Sequence, residues 1–252
     1  MRILIFTDSL SLPRSTPEVC HHSDTWPERL RKLGHEVCLS AIGGATINTL
    51  FKQTFYFGNT GYFDLVIIQS GIVDCAPRFA RQWEVKLLQA TPVFGKLMLS
   101  ALNTNFIRGL RNITYTNPNA FKQFINKFDA LYACPVWYIP ILPASPAYEQ
   151  RLPGVTKNIT QFNQLLPAAR MIEISKLTSN DLMSDFHHLN STGHEVITNA
   201  IIQKIGDLVV NEPIPLNARP IVKKYGFATF QDKFVVMTII WGIRGLLKYF
   251  HH

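Results

Sequence analysis

The chain has 252 residues, of which 47% are apolar and only 17% charged, and it carries a net charge of +8 at neutral pH. That balance excludes an intrinsically disordered chain and supplies enough apolar side chains for one sizeable core. The positive charge favours anionic partners: acidic glycans, nucleotide-linked sugars, nucleic acid or anionic lipid.

Ile3 to Phe6 follow Met1-Arg2 directly, and Asp8 ends the apolar run too early for a secretory signal. Arg2 to Phe6 reads as a buried strand, with Thr7-Asp8-Ser9 as the loop after it. Thr25 to Leu33 places Trp26, Leu30 and Leu33 at helical spacing, with Pro27 in the first turn and Gly34 as the stop. Strands follow at Glu36 to Ala41 and at Asp64 to Gln69; the second is apolar throughout, as a strand covered on both faces must be. Helices are expected around Phe94 to Leu110, at Asn119 to Phe128 and at Ile159 to Leu166. A fourth strand is expected at Ala130 to Ile139 and a fifth at Met171 to Ile174. Ser191 to Val210 has the apolar stripe of a long amphipathic helix.

Strands alternating with helices predict a parallel sheet of about five strands with helices on both faces. In such a sheet the chemistry gathers at the carboxyl ends of the strands. Ser9, Gly44 and Gly71 all fall there. The tail differs. Residues 211 to 233 are rich in proline and charge, and Phe234 to Phe250 is strongly apolar. Arg244 and Lys248 break that stretch well short of the roughly 20 residues a spanning helix needs. It is expected to pack on a protein surface or lie on a membrane face. The organisation expected is therefore a catalytic domain over residues 1–210 and a linker with a C-terminal helix over 211–252.

Asp185 stands three residues before His188 in the loop after the last strand. A carboxylate so placed can take the proton of one ring nitrogen and leave the other free to face a serine. Ser9, after the first strand, is the serine at the same edge. Cys20, Cys38, Cys75 and Cys134 show neither metal-site spacing nor a C-x-x-C pair, so a reducing compartment and no zinc site are expected, with Cys38 and Cys134 in strands. His21-His22 lack partner ligands, and His194 is expected to pack along the last helix. Trp137-Tyr138 could line a sugar site but reads as core.

Taken together these blocks resemble the SGNH (GDSL-like) hydrolases. The first block, usually Gly-Asp-Ser-Leu, is Thr7-Asp8-Ser9-Leu10; the second contributes Gly44; the third, usually Gly-x-Asn-Asp, is Gly71-Ile72-Val73-Asp74; the last is Asp185 to His188. The resemblance spans residues 1 to about 210 and implies a flavodoxin-like three-layer α/β/α fold and a cofactor-free serine esterase. Ser9 would be the nucleophile, His188 the base and Asp185 its partner, with the Ser9 and Gly44 amides forming the oxyanion hole.

One departure matters. Val73 stands where the family carries an asparagine donor, and losing such a donor costs about a hundred- to a thousandfold in rate. Asn48 and Arg78 are candidates to replace it, two backbone donors are a second account, and lost catalysis a third. Asn48, Asp74 and Arg78 are the residues expected at the substrate. Val73-Asp74-Cys75 followed by Pro77-Arg78 resembles SGNH proteins associated with bacterial surface-polysaccharide synthesis. The substrate expected is an acylated, anionic saccharide met in the cytoplasm or at the inner membrane face, with no nucleic acid. A catalytically inactive binding protein and an O-acyltransferase are the rival readings.

Overall fold

A computed structural model describes residues 1–57, 62–111 and 113–211. Four strands, β1 (Arg2–Thr7), β2 (Glu36–Ala41), β3 (Leu65–Gln69) and β4 (Val136–Ile139), form one sheet in the order β2-β1-β3-β4. Every pairing is parallel, with Thr7 opposite Ala41 on one side and Gln69 on the other. The helices are α1 (Trp26–Lys32), α2 (Ile47–Phe57), α3 (Ile72–Cys75), α4 (Gln82–Gln89), α5 (Pro92–Leu102), α6 (Asn105–Arg111), α7 (Pro118–Leu131), α8 (Pro146–Arg151), α9 (Val155–Asn163) and α10 (Ser191–Asn211).

The layering follows from the two-residue period of a strand. Leu4, Phe6, Val66, Ile68, Val136 and Tyr138 point to one face, where Leu50 of α2, Phe121 and Phe128 of α7 and Phe162 of α9 cover them. Ile3, Ile5, Leu65, Ile67, Trp137 and Ile139 point to the other, against Trp26 and Leu30 of α1 and Ile197 and Ile201 of α10. With helices on both faces, the central strands β1 and β3 are buried almost throughout. This is the three-layer α/β/α architecture expected.

Two strand expectations are corrected. Ala130 and Leu131 finish α7, and Cys134 lies in the turn before β4, so the fourth strand starts only at Val136. The apolar stripe of Phe121, Ile125 and Phe128 keeps this stretch helical by burying its face. Met171 to Ile174 is not a strand: Met171 makes a single parallel bridge to Tyr138, and Ile172 N–H donates to the Tyr138 carbonyl at 2.9 Å. Among the described residues the sheet therefore has four strands. The helix expected around Phe94 to Leu110 is two, α5 and α6, broken at Asn103 and preceded by α4. Trp137 and Tyr138 are core residues, 4% and 1% exposed. All four cysteines are free thiols. Among the described residues no helix is long and apolar enough to cross a membrane. The linker and apolar stretch expected beyond α10, Phe234 to Phe250 included, lie outside the described residues.

After β2 the chain crosses to the other side of β1 to lay down β3. Such a switch point opens a crevice at the carboxyl ends of the strands. Ser9 stands just past the end of β1, at that edge.

Candidate active site

Ser9 opens a short 3-10 turn, Ser9–Ser11, directly after β1. Asp8 fixes the turn: its carboxylate accepts the Leu10 N–H at 3.0 Å, and its own N–H extends the sheet ladder to the Gln69 carbonyl at 3.3 Å. Burial pushes the Asp8 carboxyl up to about 7. Leu10 is buried beneath the turn, so the serine hydroxyl is presented from an anchored backbone.

The partner loop arrives 176 residues later in the chain, at Asp185. One Asp185 oxygen accepts the backbone N–H groups of His187 at 3.2 Å and His188 at 3.0 Å. The other meets His188 Nδ1 at 2.6 Å. A carboxylate that bonds its own loop this way forms a local turn. The turn forces Phe186 into the left-handed region, φ +70°, a conformation that costs a residue with Cβ about 1–2 kcal/mol. Phe186 offsets this by packing on the core.

The ring of His188 is thereby pinned, and its Nε2 lies 3.0 Å from Ser9 Oγ. Asp185 accepts from Nδ1–H, so Nε2 carries the lone pair. Burial, with the neighbouring His187, holds the His188 ring well below its ordinary 6.5, at about 4. Asp185 is held down at about 2 by the N–H donors of its own loop and by His188, against the opposing effect of burial. A neutral ring against an ionised carboxylate is the resting state of a serine relay. Asp185, His187 and His188 also place ligand atoms within 4.8 Å of one another.

Gly44 lies three residues past Ala41, the partner of Thr7, so the register carries it to the same edge as Ser9. Its φ of +71° suits glycine. Among the described residues neither the Ser9 nor the Gly44 N–H is taken by another protein group. Gly71 has φ +131°, and a Cβ there would run into the Ile141 side chain, so only glycine fits. Val73 packs against the core and offers no donor.

The residues expected at the substrate divide. Asp74 is a correction: it is fully buried, and its oxygens accept from Ile47 N–H at 3.0 Å, from Ser70 Oγ at 3.1 Å and from Thr116 Oγ1. It ties α2 and the 116 turn to the start of α3 and has no face for a ligand. Asn48 stands exposed in the first turn of α2. Arg78 is half-buried, stacks over Tyr115 at 4.5 Å and donates to the Val73 carbonyl at 3.4 Å. His194 is structural as expected, accepting the Trp26 N–H at the start of α1 at 3.2 Å.

Residues not expected at the site are there too. Arg14 Nη1 lies 2.7 Å from His188 Nε2. Tyr148 stacks on His187 with ring centroids 5.6 Å apart. A small apolar depression beside His187 is lined by Leu10, Ile72, Ile141, Tyr148 and Phe186. These contacts join residues far apart in the chain, and no local pattern announces them.

No family model matches the chain, and no curated protein does. Solved structures do. A lipase/acylhydrolase from Enterococcus faecalis aligns over 82% of this chain and 95% of its own, with 15% identity and a TM-score of 0.53. An inhibitor-bound aryl esterase from M. smegmatis aligns over 82% and 99%, with 19% identity and a TM-score of 0.50. A protein assigned to the lipolytic G-D-S-L family, from Desulfitobacterium hafniense, aligns over 80% and 98%, with 12% identity and a TM-score of 0.50. The chain therefore has the three-layer fold of the GDSL-type (SGNH) hydrolase structures, with Ser9, His188 and Asp185 in line at its carboxyl edge.

Proposed function

We propose that the protein is a serine esterase that removes a short O-acyl group, an acetyl in the simplest case, from a saccharide or polysaccharide precursor. One observation carries the reading: Ser9 Oγ, His188 and Asp185 form an unbroken relay with steps of 3.0 and 2.6 Å. Ser9 Oγ attacks the ester carbonyl while His188 Nε2 takes its proton. The Ser9 and Gly44 amides are the oxyanion donors. His188 returns the proton to the departing alcohol, and water then releases the acid by the same route. The small depression beside His187 suits a short acyl group, and the guanidinium of Arg14 at His188 favours an anionic saccharide.

Hydrolysis of p-nitrophenyl acetate and of O-acetylated saccharides by wild type and Ser9→Ala tests this. The expected result is turnover that falls to background in Ser9→Ala. A second reading, a saccharide-binding protein of the same fold, rests on Val73 in place of a donor. Saccharide binding without any turnover in wild type would favour it.

A further inference from the structure

A neutral His188 with its proton on Nδ1 offers a single lone pair at Nε2. Two groups reach for it: Ser9 Oγ at 3.0 Å and Arg14 Nη1 at 2.7 Å. A guanidinium only donates. Arg14 therefore competes for the lone pair that must accept the serine proton. It also stands on the atom that later hands this proton to the departing alcohol, in the space where that alcohol oxygen must come.

Arg14 is held there by a built loop. Its backbone exchanges two hydrogen bonds with Cys20, each 2.9 Å, and its Nε donates to the Thr16 carbonyl at 3.0 Å. Glu18 of the same loop accepts the Ser184 N–H, next to Asp185, at 3.2 Å. More positive charge lies close by. Arg151 is near enough to both His187 and Tyr148 to act on their charge states, and Arg78 acts on Tyr148.

We propose that Arg14 is a guard removed by its substrate: its guanidinium occupies the alcohol side of His188 Nε2 until a carboxylate or phosphate on the alcohol half of the ester draws it away. This rests on the triad reading above and names its substrate class, esters whose alcohol carries an anion close to the ester oxygen. The exchange makes and breaks no covalent bond. Arg14 keeps its protons and trades one acceptor, the ring nitrogen, for the anion's oxygens, whose geometry its planar fork matches. The freed Nε2 then takes the Ser9 proton.

The test compares wild type, Arg14→Ala and Arg14→Lys on O-acetylglycolate, whose alcohol half carries a carboxylate one carbon from the ester oxygen, and on its neutral methyl ester, with release of acetate as the readout. Wild type is expected to favour the carboxylate by about tenfold or more in kcat/KM, the scale of one charge-assisted hydrogen bond. Arg14→Ala should lose that preference while hydrolysing the methyl ester at least as fast as wild type, and Arg14→Lys should keep part of it. An unchanged preference in Arg14→Ala, or an equal loss on both esters, overturns the proposal. Labelling of Ser9 by a fluorophosphonate gives a readout independent of these esters: it should be several times faster in Arg14→Ala than in wild type, and equal rates overturn the guard. Turnover that persists in Ser9→Ala is a different failure, of the triad reading itself. Labelling absent from both wild type and Arg14→Ala removes the triad and the guard together.

Discussion

Asp185 and Asp74 both lie near the carboxyl edge of the sheet, and their surroundings drive them in opposite directions. Asp185 is partly exposed and surrounded by donors, two backbone N–H groups and the His188 ring, which hold it ionised at about 2. Asp74 is sealed in the core, and burial raises it to about 6 despite its three donors. The lesson concerns placement: a carboxylate that keeps its charge beside a neutral imidazole can steady a developing imidazolium, whereas a buried one serves as a knot between segments.

The comparison breaks first at Asp185. Asp185→Asn leaves the loop in place but frees the tautomer of His188, and kcat should fall by about a thousand- to ten-thousandfold; steady-state kinetics decide it, and a loss of only a few fold would deny Asp185 its part. Asp74→Ala should leave the kinetics of the folded protein nearly untouched. Its cost falls on stability instead, about 3 kcal/mol, because Ile47 N–H, Ser70 and Thr116 lose their acceptor in the core. Denaturant unfolding measures it.

Val73→Asn sharpens the contrast at the residue beside Asp74. A restored side-chain donor should raise kcat by about tenfold, below the hundred- to thousandfold of a fully aligned oxyanion donor. No gain would mean that the two amides, or another group, already suffice.

The pH profile separates the groups further. His188 is held near 4, so the acid limb of kcat/KM should fall there, far below the ordinary histidine value of 6.5. Stability moves with opposite signs. Asp185, lowered from 3.8 to about 2, stabilises above 3.8, and that contribution is lost as pH falls through 2. Asp8, raised from 3.8 to about 7, favours the fold below 3.8, and that contribution is lost as pH rises through 7. Asp8→Asn should therefore stabilise the protein by about 1–2 kcal/mol above neutral pH and by little near pH 4. Melting curves at the two pH values check it.

Much of the sheet was legible in the sequence because its central apolar runs are buried and bounded by turns: β3, Leu65–Gln69, lies within the stretch Asp64 to Gln69 as read. The failures have physical causes. Ala130 to Cys134 looked extended, but the Phe121 and Phe128 stripe carries the helix through Leu131. Met171 to Ile174 had strand composition, yet it touches β4 through one bridge only. At the site, the spacing of Asp185 and His188 showed their pairing, because a three-residue step is local. Asp74 was misread because no local pattern separates a buried knot from a ligand contact. Arg14 was invisible for a similar reason, since its partner His188 is 174 residues away.

The proposed chemistry turns on Ser9 as nucleophile, activated by His188. The most direct measurement is intact-protein mass spectrometry after exposure to a fluorophosphonate, with the adduct mapped by peptide sequencing. One adduct is expected, on Ser9, absent from Ser9→Ala and strongly slowed in His188→Ala. An adduct on another residue, or labelling that survives in Ser9→Ala, would contradict it.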